Sequence, residues 1–199
     1  MSDRTVTSRG AYVGAPAAFE LPSKCSPSRR GDAAGRAFDL TLAVLLIAFT
    51  LPLLVAIALA VRLQDEGSII SAHQRVGRGG RLFRCLKYRI VSSEGAVTRV
   101  GDFLRQSGLD ELPQLFNVLR GEMSIVGPRP ITPAEVALYG HRLGLYCSIR
   151  PGITGLRQLV GRDDSSYHRR VASDSVYAGK KSLMLDVKLL LRAIPTLIF

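Results

Sequence analysis

One uninterrupted apolar segment constrains this chain more than any other feature. Residues 40–61 read LTLAVLLIAFTLPLLVAIALAV and contain no charged side chain. A helix needs about 20 apolar residues to cross the hydrocarbon core of a bilayer, so the sequence predicts a membrane helix over residues 36–63. A buried core helix of this length would be unusual in a chain of 199 residues, and a signal peptide would begin nearer the N-terminus.

The path of this helix through the membrane has two interpretations. Basic residues precede it at positions 29, 30 and 36 and follow it from Arg62 onward, so charge favours neither orientation. Pro52 lies in the middle, where it removes one helical hydrogen bond and favours a bend. A re-entrant helix hinged at Pro52, which enters and leaves on the cytoplasmic side, satisfies both observations. A kinked spanning helix is the alternative.

The rest of the chain divides into a tail and one folded domain. Residues 1–35 are rich in Ser, Ala, Gly and Pro without apolar periodicity, which is typical of a disordered tail. Residues 64–199 are long enough to form one domain with its own core. The C-terminal residues 182–199 predict an amphipathic helix, which lies at the membrane interface or docks on the core. Its predicted apolar face consists of Leu183, Val187, Leu190, Leu191 and Ile194.

Glycine and proline mark the first boundaries within the domain. A tight turn is predicted by three closely spaced glycines: Gly77, Gly79 and Gly80. A strand-like run restarts at Leu82. Residues 109–120 predict a helix that ends at Gly121. Pro and Gly predict loops at 127–130 and 150–155.

The charge of the chain indicates anionic partners. Its 27 Lys and Arg outnumber 16 Asp and Glu, a net charge of +11, which fits nucleic acid, phosphorylated substrates or an anionic membrane surface. A nucleic-acid interface would interleave aromatic and basic residues, but the chain has no Trp and no such pattern. The three cysteines are far apart and the histidines are scattered, so neither a disulfide scaffold nor a zinc site is expected.

Two adjacent acids are the strongest candidates for chemistry. Asp110 and Glu111 lie in a region with few other carboxylates, and such groups can attack phosphorus or bind Mg²⁺. The alternative is a helix start, because Ser107 and Asp110 have the spacing of a capping box. Arg129, held between two prolines, and Arg162 could contact phosphate oxygens or pair with nearby acids.

These residues fall within a series of longer motifs. In chain order the motifs are RAFDL (36–40), HQRVGRGGRLFRCLKYR (73–89), LDELPQLFNVLRGEMSIVGPRP (109–130), RPGITGLRQLVGRDDSSY (150–167) and SLMLDVKLLLRAIPTL (182–197). Together they resemble the bacterial sugar transferases, the small monotopic polyprenyl-phosphate glycosyl-1-phosphate transferases. The sequences of these motifs are most similar to those of exopolysaccharide-initiating members from rhizobia and their relatives.

The resemblance implies an α+β, helix-rich cytoplasmic domain with interfacial amphipathic helices and a re-entrant anchor in the bacterial inner membrane. It implies an enzyme that transfers a sugar-1-phosphate from a nucleotide diphospho-sugar, expected to be a UDP-hexose, to undecaprenyl phosphate. The nucleoside monophosphate is released and exopolysaccharide synthesis begins. The implied partners are the donor, the lipid acceptor and the membrane, without nucleic acid; homodimerisation is left open.

The resemblance also assigns roles to residues. Asp110 is expected to be the nucleophile, and Glu111 is expected to support catalysis by holding Mg²⁺. Phosphate contacts are expected from Lys87, Arg89, Arg129 and Arg162.

Of two departures from the family pattern, the first favours a spanning helix and the second supports an alternative function. Leu51 stands before Pro52 where the family usually has serine, and the connection between Ile90 and Thr98 is short and lacks an acidic lead-in. The alternative is a catalytically weakened homologue that serves as a membrane-bound assembly or regulatory component of polysaccharide synthesis.

Overall fold

The computed structural model describes residue 25 and residues 32–156 and 167–198. Helix α1 begins at Asp32, before the predicted start at residue 36, and continues through Pro52 to Gln64. Residues 32–35 therefore belong to the helix rather than to the predicted tail. The rest of that tail, apart from Cys25, lies outside the described residues.

Helix α1 buries one stripe and exposes the rest of its apolar surface. The buried positions recur at helical spacing: Asp39, Ala43, Leu54, Ile57 and Val61. The exposed large side chains are Val44, Leu45, Phe49, Leu51, Leu53, Val55, Leu59 and Leu63. Only 17 % of the most apolar window is buried, which argues against the core helix of a soluble protein. The helix is long and apolar enough to cross a membrane.

An antiparallel hairpin follows, formed by β1 (Ile70–Val76) and β2 (Leu82–Tyr88). The predicted glycine turn is confirmed as a 3-10 turn at Arg78–Gly80. Its backbone reaches φ of 65° at Gly79 and 74° at Gly80, a region that side chains with a Cβ rarely enter.

Side chains alternate between the two faces of β2. Phe83 and Cys85 are buried, whereas Leu82 and Arg84 are exposed. Because strand residues alternate with period two, Lys87 lies on the same face as Phe83 and Cys85.

The predicted helix at 109–120 is divided into two parts. Helix α2 (Arg99–Ser107) precedes a 3-10 turn at Leu109–Glu111, and α3 (Gln114–Arg120) follows. Pro113 separates the turn from α3, because proline has no amide hydrogen to donate within a helix. The predicted end at Gly121 is confirmed, with φ of 83°.

Two short strands, β3 (Ser124–Val126) and β4 (Gly152–Thr154), form a parallel pair. The prediction of a loop throughout 150–155 is therefore wrong. A Cβ atom on Gly152 would collide with the backbone of Gly127, so glycine here permits the close approach of two chain segments.

Four helices complete the described chain: α4 (Val136–Tyr139), α5 (Leu143–Cys147), α6 (Tyr167–Lys180) and α7 (Leu183–Ile198). Helix α7 docks on the core through Asp186, Leu189 and Ala193. Leu183 and Leu191 of the predicted apolar face are 43 % and 63 % exposed, so these two side chains do not pack on the core.

A disulfide joins Cys25 to Cys147 in α5 across a sequence separation of 122 residues. The sequence contained no signal for this bridge, because the two cysteines belong to no spaced motif. Cys85 is free and buried.

The core holds α1 at both of its halves. Ala43 packs with Phe83 of β2, Val118 of α3 and Leu189 of α7. Further along α1, the buried residues Leu54, Ile57 and Val61 pack around Leu104 of α2. The described residues form a helix-rich α+β architecture with two two-stranded sheets, which confirms the helix-rich α+β part of the predicted fold class.

Candidate active site

The two acids lie at a sharp change of chain direction. Helix α2 ends at Gly108, whose φ of 74° turns the chain into the 3-10 segment and buries Asp110. Ser107 does not cap this segment, because its hydroxyl donates to the carbonyl oxygens of Phe103 and Leu104 within α2. The capping-box alternative for Asp110 is therefore wrong.

Lys87 of β2 joins the two acids. Its Nζ donates to Oδ2 of Asp110 at 3.1 Å and to Oε1 of Glu111 at 2.6 Å. Burial lowers the pKa of Lys87, but the two carboxylates outweigh this effect and raise the pKa above its usual value. The side chain of Asp110 is only 8 % exposed, compared with 27 % for Glu111. The ammonium group therefore stays charged and fixes one oxygen of each acid.

Charges from four chain segments act on Cys85, a buried residue of β2 two positions before Lys87. Burial raises the pKa of the Cys85 thiol to about 11; the cations Lys87, Arg75 and Arg129 oppose the rise, and Glu111 adds to it. All four charges therefore act on one buried atom. The charge of Arg129 thus acts on Cys85, two residues before Lys87 in the same strand.

The loop that carries Arg129 is held rigidly. Arg129 is exposed between the buried residues Pro128 and Pro130, directly after β3. Backbone hydrogen bonds join Gly127 N to Thr154 O at 2.9 Å and Gly152 N to Pro128 O at 2.8 Å. This loop presents a guanidinium group with little backbone freedom, a geometry suited to an anionic ligand.

The carboxylates also fit a divalent cation that a substrate helps to bind. Among the described residues no group of three or more His, Cys, Asp or Glu side chains could hold a metal by itself. Mg²⁺ is commonly bound through one or two carboxylates together with substrate phosphates. Asp110 and Glu111 match that donor set.

Other predicted site residues have different positions. Arg89 is a structural brace in this structure: Nη1 donates to Oδ2 of Asp65 at 2.8 Å, and Nη2 donates to the Asp65 carbonyl oxygen at 3.0 Å. The structure thus gives Arg89 a partner other than the predicted phosphate. Pro52 lies within the continuous helix α1, and Arg162 lies outside the described residues.

Asn117 is a site residue that the sequence did not reveal. Fully buried in α3, it accepts a hydrogen bond from Leu86 N at 2.9 Å and donates to Arg84 O at 2.7 Å. These contacts fix α3, which follows the acids, against the strand that carries Lys87. A polar residue within the apolar run LFNVL was the available signal.

The first turns of α1 hold two further segments of the site. Arg36 donates to Val118 O at 2.7 Å, at the end of α3. Oδ1 of Asp39 accepts from Ser124 Oγ and Ile125 N, both at 2.9 Å, in the strand before the Arg129 loop. Helix α1 and the acid site are thus parts of one packed unit.

The site thus combines a buried carboxylate, a lysine that contacts two acids and a loop that carries an exposed arginine, an arrangement suited to an anionic substrate. The family model for bacterial sugar transferases matches residues 31–199. The chain belongs to the bacterial sugar transferase family and is an enzyme of that class.

Individual relatives agree with this family. The exopolysaccharide production protein ExoY of Sinorhizobium fredii is 37 % identical, over 94 % of this chain and 96 % of the relative. The UDP-glucose:undecaprenyl-phosphate glucose-1-phosphate transferase of Caulobacter vibrioides is 38 % identical over 84 % and 70 %. The undecaprenyl-phosphate galactose phosphotransferase of Salmonella typhimurium is 36 % identical, over 79 % of this chain and 39 % of the relative. The resemblance seen in the motifs is confirmed.

Proposed function

We propose that this enzyme transfers a sugar-1-phosphate from a nucleotide diphospho-sugar, a UDP-hexose, to undecaprenyl phosphate and so initiates exopolysaccharide synthesis. The names of its relatives support this substrate pair. The observation that carries the proposal is the contact of Lys87 with both Asp110 and Glu111, which assembles a carboxylate nucleophile among cations.

In the first step, a carboxylate oxygen of Asp110 attacks the phosphorus that bears the sugar. A carboxyl–phosphate ester forms, the phosphoanhydride bond breaks, and its electron pair leaves on the nucleoside monophosphate. Lys87 orients Asp110 for this attack, while Arg129 binds the anionic phosphate oxygens.

In the second step, a phosphate oxygen of the lipid acceptor attacks the same phosphorus. The bond to Asp110 breaks, the free carboxylate returns, and a polyprenyl diphospho-sugar leaves. No net proton transfer is required, which agrees with a site built from carboxylates and permanent cations rather than from a general acid.

The site suits a divalent ion whose ligands come from both the protein and the substrate. Glu111 would hold Mg²⁺ together with the substrate phosphates. When bound, the ion would neutralise the charge of the diphosphate.

The proposed placement in the membrane rests on α1. Its exposed apolar face suits a hydrocarbon environment, and both of its halves pack on the same domain. These contacts support a re-entrant helix in the bacterial inner membrane with the catalytic domain on the cytoplasmic side.

The test uses purified full-length enzyme with a panel of UDP-sugars and undecaprenyl phosphate. Release of UMP and formation of a lipid-linked sugar are expected with at least one donor. In the absence of acceptor, a donor labelled in the sugar-bearing phosphate should leave its label on the wild-type protein.

The Asp110→Asn variant should take up no label and show no turnover, because an amide cannot form the ester. Glu111→Gln should still become labelled but respond more weakly to Mg²⁺. An active Asp110→Asn variant would refute the assigned nucleophile. Folded wild-type enzyme without activity on any donor would favour the weakened, assembly-type homologue.

A further inference from the structure

A groove of about 420 Å³ lies on the surface between the second half of α1 and α2. Helix α1 contributes Ala56, Ile57 and Ala60, and α2 contributes Val100, Phe103 and Leu104. The walls are therefore apolar on both sides.

Small side chains and an outward aromatic ring create this space. Ile57 and Leu104 form the floor, at 7 % and 1 % exposure. Ala56 and Ala60 lie one helical turn apart and leave two notches. Phe103 does not fill the gap, since its side chain is 63 % exposed.

The groove borders the apolar surface of α1. Leu53 and Leu63 lie on the same helical face as Ala56 and Ala60, and both leucines are exposed, at 42 % and 85 %. A ligand entering from the hydrocarbon phase would therefore meet no polar barrier along α1.

The floor of the groove also leads to the acid pair. Leu104 belongs to one apolar cluster with Leu109 and Leu112, the residues that flank Asp110 and Glu111. Helix α2 has nine residues and is about 13 Å long at ~1.5 Å per residue. A ligand with its head at Asp110 can therefore lay a chain along α2.

We propose that this groove binds the isoprene units nearest the phosphate of the polyprenyl phosphate acceptor, an inference that rests on the proposed function. Lys87, at the acid pair, complements the phosphate, and the apolar walls complement the chain. The notches at Ala56 and Ala60 accept methyl branches, which a straight phospholipid acyl chain lacks. Arg99, the first residue of α2, also lines the groove.

The first experiment fills the groove with Ala56→Trp or Ala60→Trp and titrates the acceptor. The KM for polyprenyl phosphate should rise at least about tenfold, equivalent to ~1.4 kcal/mol. Labelling of the protein by the donor alone should match wild type, which also shows that the variants fold. Ala48→Trp is the matched control, because Ala48 is exposed on α1 outside the groove. An unchanged acceptor KM in both groove variants would overturn the proposal.

The second experiment measures binding without turnover. An isoprenoid phosphate carrying a diazirine near its phosphate should crosslink wild-type enzyme at α2 or the second half of α1. Unlabelled polyprenyl phosphate should suppress this crosslink, and Ala60→Trp should abolish it. Competition by phosphatidylglycerol alone would identify a bulk-lipid site and overturn the proposal. If wild-type enzyme crosslinks specifically yet releases no UMP, the proposed reaction fails while the groove assignment stands.

Discussion

At the scale of single residues, Lys87 organises the candidate site. It lies 23 residues before Asp110 in the chain, yet its ammonium group contacts both acids. Without Lys87, the negative charges of the neighbouring Asp110 and Glu111 carboxylates would lose this shared cation, and like charges repel.

Replacing Lys87 should therefore impair catalysis beyond any loss of stability. We expect Lys87→Met to lower kcat by at least about 10²-fold, the usual scale for one preorganised charged group. Steady-state kinetics and a melting curve measure the two effects separately. Lys180→Met, an exposed lysine at the end of α6, should behave like wild type. Near-normal kcat in folded Lys87→Met would contradict the assigned role.

Asp186 illustrates a different use of a buried carboxyl group. It lies 2.6 Å from the hydroxyl of Tyr177, which also donates to Val126 O at 3.0 Å. Burial raises the pKa of Asp186 above its usual 3.8; Tyr177 and Lys181 oppose the rise, and Asp39 adds to it. The carboxyl group of Asp186 thus keeps its proton to higher pH in the folded protein than in the unfolded chain.

This retained proton predicts a pH dependence of stability with a definite sign. The stabilisation is complete below the unfolded pKa near 3.8 and is lost as pH rises through the folded pKa, because the native state binds more protons in that window. Asp186→Asn should remove this loss, so its melting temperature relative to wild type should increase from pH 4 to pH 7. A constant difference across that range would contradict the prediction.

At the scale of elements, the pairing of β3 with β4 decides where Arg129 lies. The two strands approach so closely at Gly127 and Gly152 that neither position has space for a side chain. Glycine and proline in these motifs predicted irregular loops, but here they allow close packing and a stiff turn.

A single methyl group should therefore disturb this element. We expect Gly152→Ala to destabilise the protein by about 1–3 kcal/mol through overpacking and to raise the KM for the donor by moving the Arg129 loop. Gly179→Ala is the control, because Gly179 lies in α6 with open space around it, and it should be neutral or stabilising by up to ~1 kcal/mol. Denaturant unfolding and donor titration provide the measurements; equal stability of the two variants would count against this packing argument.

At the scale of the whole molecule, α1 is a structural member of the enzyme as well as its candidate membrane anchor. Its first turns bond to α3 and β3, and its second half packs on α2. The proposed re-entrant path would keep both of these interfaces on one side of a bilayer.

Accessibility in intact cells tests this topology. In a background with Cys25 and Cys147 replaced by serine, Ala33→Cys and Ser68→Cys place thiols at exposed positions on either side of the apolar segment. Both should resist an impermeant thiol reagent applied outside and react after permeabilisation. Labelling of only one thiol in intact cells would establish a spanning helix.

Sequence by itself determined the features that depend on neighbouring residues: the apolar helix, the glycine turn at 79–80, the helix end at Gly121 and the acid pair. Periodicity, backbone freedom and residue type are local properties, and they are readable without a fold. The family motifs added the expected role of Asp110.

Only the tertiary structure decided which of these features meet. It brought Lys87 to the acids, engaged Arg89 with Asp65, turned a different face of α7 to the core and joined Cys25 to Cys147. Such contacts depend on how the faces of separate elements pack against each other. Buried polar groups also need hydrogen-bond partners, and these partners can lie far away in the sequence. No pattern confined to one segment of sequence carries that information.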